Sequence, residues 1–142
     1  MSSTGTRLIT DSQQSPTTHH EISLEISNEM VQLYKRVFGR GPGRASTHFA
    51  GPNTIICTLE GSFTPAERAM AELGEHHRLR ETRLMFQHAR EDDFRETVER
   101  ITGRRVRAFI SGTDTIEDVS CEVFYLEPDG DAATGAADVV EE

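Results

Sequence analysis

Apolar residues recur every three or four positions at Ile22, Ile26, Met30, Leu33 and Val37, which predicts an amphipathic helix from about Glu21 to Phe38. Gly39 supplies a left-handed residue to close it, and Pro42 prevents its return. The pattern then switches to alternation. Arg44 to Ala50 and Thr54 to Glu60 read as two strands, joined by the turn chemistry of Gly51-Pro52-Asn53. In the second strand Ile55, Cys57 and Leu59 share one face, with Ile56 and Thr58 on the other. Thr64-Pro65-Ala66-Glu67 predicts a helix start, with Thr64 as cap, Pro65 at the first helical position and Glu67 reaching back to the Thr64 amide. That helix breaks near Gly74. A longer one is expected from about Glu75 to Thr102, closed by Gly103, with Leu79, Phe86, Phe94, Val98 and Ile101 as apolar positions. Two more alternating runs follow, Arg104 to Ser111 and Asp118 to Glu127, linked through the turn formers Gly112 and Asp114. In the last run Val119, Cys121, Val123 and Tyr125 alternate with Ser120, Glu122, Phe124 and Leu126.

The predicted order is α-β-β-α-α-β-β. Two hairpins flanking helices imply a single α+β domain, a four-stranded, mostly antiparallel sheet with helices packed on one face. Composition sets its limits. The chain has 142 residues with 35% hydrophobic content, which allows one domain and suggests unfolded ends. Residues 1–19 are rich in Ser, Thr and Gln, and residues 129–142 in Asp, Gly and Ala. Both are expected to be disordered tails around a folded unit at 20–128. No run is long and apolar enough to span a bilayer, and the first fifteen residues hold no secretory h-region, so a cytoplasmic protein is expected.

The formal net charge is −9, and the acidic tail accounts for five of those charges through Asp129, Asp131, Asp138, Glu141 and Glu142. The remainder is still acidic, which argues against broad nucleic-acid binding. Of the basic residues only Lys35 is not arginine. Either a GC-rich genome or selection for forked donors that grip carboxylate, carbonate or phosphate explains the bias.

Two features carry candidate chemistry. The loop Gly39-Arg40-Gly41-Pro42-Gly43-Arg44 combines glycines that allow close backbone approach with arginines able to clamp an anion. It follows a helix instead of opening one and lacks the lysine and hydroxyl of a P-loop, so a plain helix stop is the competing reading. In the long helix, at about 100° per residue, Arg83 and Arg90 fall within the apolar stripe of Leu79, Phe86 and Ile101. A guanidinium on a buried face needs a partner. An internal carboxylate, a bound anion and a partner protein all satisfy that need, as does snorkelling at the edge of the stripe. The six histidines and two cysteines show no metal spacing, and no nucleophile or acid–base pair is readable. Neither a cofactor nor an enzymatic activity is expected.

Five segments together resemble one family. They are Phe38-Gly39-Arg40-Gly41-Pro42; Leu59-Glu60-Gly61-Ser62-Phe63-Thr64-Pro65-Ala66-Glu67; Arg83-Leu84-Met85-Phe86-Gln87; Val98-Glu99-Arg100-Ile101-Thr102-Gly103-Arg104-Arg105-Val106; and Val123-Phe124-Tyr125-Leu126-Glu127-Pro128. In this order and spacing they resemble the MpsC family over about 21–128. The resemblance implies an accessory or regulatory role in a sodium-translocating, membrane-potential-generating system or in inorganic-carbon uptake, exerted by docking to a membrane subunit. It implies no catalytic residues. Arg40, Gly41, Arg44, Arg83 and Arg90 are then the candidate site for an acidic partner or, alternatively, for bicarbonate, phosphate or a nucleotide in a sensor. The sheet's edges and faces suit a homodimer.

Overall fold

The computed structural model describes residues 14–128 and Val140. Helix α1 spans Gln14–Phe38, followed by strands β1 (Arg44–Phe49) and β2 (Thr54–Glu60). Helices α2 (Pro65–Glu72), α3 (His76–Ala89) and α4 (Glu91–Thr102) come next, then β3 (Val106–Asp114) and β4 (Val119–Leu126). The four strands form one antiparallel sheet in the order β1-β2-β4-β3. The fold is α+β, as expected.

The inner face of the sheet carries Ile55, Cys57, Leu59, Phe124 and Leu126, all fully buried. Against it α1 places Ile26, Met30, Leu33 and Tyr34, and α4 places Phe94 and Val98. An aromatic line runs through this core. The rings of Tyr34 and Phe94 are 6.2 Å apart, those of Phe94 and Phe109 5.3 Å, and those of Phe109 and Phe124 5.2 Å, within the range where edge and offset contacts attract.

Three expectations change. Helix α1 begins at Gln14, so residues 14–19 are helical and not tail; Pro16 sits in the first turn, where a missing amide costs nothing, and His19 stacks on Phe49 at 4.2 Å. The remainder of the expected N-terminal tail and almost all of the acidic one lie outside the described residues. The long helix of 75–102 is two helices. Arg90, at φ −109° and ψ 19°, caps both and turns the chain between them. Finally, β3 runs on through Gly112, which pairs with Cys121, to Asp114. The turn comes later, where Asp114 Oδ1 accepts the amides of Ile116 and Glu117 and Asp118 takes the left-handed φ of 57°.

Candidate functional site

Arg83 is among the largest fully buried side chains of the described residues. Its guanidinium makes a two-pronged pair with Glu67, Nε to Oε2 at 2.8 Å and Nη2 to Oε1 at 2.7 Å. It also donates to Ser62, through Nη1 to Oγ at 3.1 Å and Nη2 to the carbonyl at 3.0 Å. Two aromatic rings flank it, Phe38 at 3.9 Å and Phe63 at 4.9 Å. The planar fork suits both the carboxylate and the stacking, which a lysine would not reproduce. Of the partners open to Arg83 in the sequence, the structure supplies the internal carboxylate.

Glu67 is fixed from the other side. Its Oε1 accepts the Thr64 amide at 2.8 Å, and its own amide donates to Thr64 Oγ1 at 3.2 Å, which completes the expected capping box. Burial pushes this carboxyl up, but the hydrogen bonds and charge of Arg83 and the Thr64 amide more than reverse it, so it titrates below the ordinary range. Asp118 holds the preceding loop by accepting the amides of Ser62 and Phe63 at 3.0 and 3.1 Å. Three segments distant in sequence thus meet at one guanidinium: the end of α1, the loop into α2, and α3.

One turn further along the same helices lies a second buried polar group. Tyr34, four residues before Phe38, donates its hydroxyl to Glu122 Oε2 at 2.5 Å. Gln87, four residues after Arg83, donates to the same oxygen at 2.7 Å. Glu122 is fully buried on the inner row of β4, and its Oε1 has no hydrogen-bond partner among the described residues. Burial pushes its carboxyl up to about 7, against the pull of the neighbouring Ser111, Tyr34 and Gln87 and of the Arg83 charge. The sequence reading passed over this cluster. Its signal was the shared parity of Glu122 with Phe124 and Leu126, together with the four-residue steps from Phe38 and Arg83.

The other candidates lie outside this interior. Gly41 packs against α1, where an added Cβ would meet Val31 Cγ1 and the Val31 carbonyl at 3.4 Å, a close but tolerable contact. Gly39, at φ 85°, closes α1 with its amide on the Lys35 carbonyl. Arg40 is exposed. Arg44 is exposed at the sheet edge, 3.8 Å from Glu60. Arg90, placed in the apolar stripe by an unbroken helix, is 61% exposed and 3.8 Å from Asp93. Arg83 is therefore separated from the three arginines that face water. The Phe38 ring that covers Arg83 lies 6.3 Å from that of Phe86, which is 43% exposed. Arg40 follows Phe38 by two residues, and the Arg90 amide bonds to the Phe86 carbonyl.

Residues 18–128 match the family model described as Na+-translocating membrane potential-generating system (MpsC). No curated protein matches the chain, and no solved structure does.

Proposed function

The chain belongs to the MpsC family, and from that premise we propose that it acts as an accessory protein of a membrane cation or inorganic-carbon transport system, docking on an acidic surface of a membrane component. Among the described residues no helix is long and apolar enough to cross a membrane. The observation that carries the docking reading is the 43% exposed Phe86 ring, 6.3 Å from the Phe38 ring, with the exposed Arg40 two residues after Phe38 and the exposed Arg90 one helical turn after Phe86. An aromatic anchor beside arginines is the composition that dominates protein interfaces. Small-anion sensing is the weaker reading, because Glu67 and Ser62 occupy the forks of Arg83 and leave a free anion only the exposed arginines.

The test is complementation in cells lacking the gene, read as membrane potential with a potential-sensitive dye. Deletion is expected to lower the potential and the wild-type gene to restore it. The double variant Arg40→Glu/Arg90→Glu is expected to fail, although its folding stability stays within about 0.5 kcal/mol of wild type because both side chains are exposed. Full restoration by the double variant removes the docking surface. An unchanged potential on deletion removes the transport role itself.

A further inference from the structure

We propose that the outward face of the sheet is a self-association surface, covered by the same face of a second copy of this chain. An antiparallel sheet with one face in water normally turns polar residues outward. Strand β4 departs from this. Its inner row, Ser120, Glu122, Phe124 and Leu126, is half polar, while its outward row is Val119, Cys121, Val123 and Tyr125. The neighbouring strands extend that outward row with Ile56, across from Val123 on β2, and Ile110, across from Val123 on β3. Ile110 is 63% exposed and Tyr125 40% exposed, whereas the helices that pack on the sheet bury its inner row.

The charges at the rim select the occupant. Asp114 and Arg107 stand near opposite ends of β3, both exposed, with Ile110 between them. Arg107 is the extra residue of the bulge between Val106 and Ala108, and its guanidinium lies 4.9 Å from the centre of the Tyr125 ring. A two-fold axis in the plane between two such sheets, perpendicular to the strands, lays β3 antiparallel on its symmetry mate. That operation sets Arg107 of each copy against Asp114 of the other, twice per dimer, with the apolar row enclosed between them. An isologous interface requires this self-complementarity, and aligned sheet packing supplies the geometry.

Sedimentation equilibrium on the full chain tests this, with circular dichroism to confirm folding. Wild type is expected to be a dimer at micromolar concentration. Ile110→Glu is expected to weaken it by about a hundredfold or more, because it buries an unpaired charge twice. Arg107→Glu is expected to cost about tenfold by opposing like charges, and Arg107→Glu/Asp114→Arg to recover most of that loss. Because Asp114 Oδ1 also caps the turn, Asp114→Asn, which keeps that acceptor, should weaken the dimer without unfolding the chain. A wild type that stays monomeric at 100 µM overturns the proposal, whatever else then covers the face. So does a dimer indifferent to Ile110→Glu, or one that the charge exchange does not rescue.

Discussion

Arg83→Met is expected to destabilise the protein by about 3–5 kcal/mol, the usual cost of removing one partner of a buried ion pair. That is a large share of the roughly 5–15 kcal/mol that holds a domain of this size together. The loss is more than a pair. Without the guanidinium, Glu67 keeps its place in the capping box but has no countercharge, the Ser62 carbonyl and hydroxyl lose their donors, and Phe38 and Phe63 lose the planar group between them. Arg83→Lys should recover little, since one ammonium cannot serve both carboxylate oxygens and stack between two rings. Urea denaturation measures both variants. A double-mutant cycle with Glu67→Gln should show strong coupling, because each single change strands the other group. An Arg83→Met protein within 1 kcal/mol of wild type would mean that the interior pair contributes nothing net.

The second large effect concerns Glu122. Its carboxyl titrates at about 7 in the folded chain and near 4.5 when unfolded, so between those values the folded state holds a proton that the unfolded state has released. Stability should therefore fall as pH rises from about 4.5 to 7 and stay low above it. The full change is on the order of 3 kcal/mol. Glu122→Gln keeps the shape and remains uncharged. It should remove this component of the pH dependence and leave the variant more stable than wild type at pH 8. The side chain can still accept from Tyr34 and Gln87, and its new amide donor enters a site where Ser111 Oγ and Gln87 Oε1 lack partners. Urea midpoints of both proteins at pH 5 and pH 8 decide it. Parallel pH profiles would show that Glu122 is charged at no appreciable cost.

The contrast between Arg83 and Arg90 shows what can be read from the chain before any coordinates. Helical periodicity located both relative to Leu79 and Phe86, and for Arg83 the implied burial was right because Leu79, Arg83 and Gln87 lie within one helix. The same arithmetic failed for Arg90 because it assumed a uniform rotation per residue. At that residue the backbone leaves the helical region and α4 starts as a separate helix. Nothing in the run His88-Ala89-Arg90-Glu91 marks such a break with glycine or proline. The strong local signals were the Thr64 capping box, Gly39 and Gly103 after their helices, and the turn at residues 51–53. Each depends on neighbours a few residues away. The face of β4 depends on partners far off in sequence. Hydropathy favours Val119, Cys121 and Val123 for the interior, but Tyr34 and Gln87 supply the donors that let Glu122 occupy it.

The strand order has a kinetic corollary. The β1–β2 hairpin is local, but its inner partner is the last strand, with Ile55 opposite Phe124 and Leu59 opposite Ser120. The whole helical segment must be threaded between them before the central ladder closes. Loop-closure entropy comes first and the reward last, so refolding should be slow for the chain's length, on the millisecond-to-second scale of topologies rich in distant pairings. Until β4 arrives, β2 keeps an unpaired edge, the kind of template on which partly folded chains aggregate.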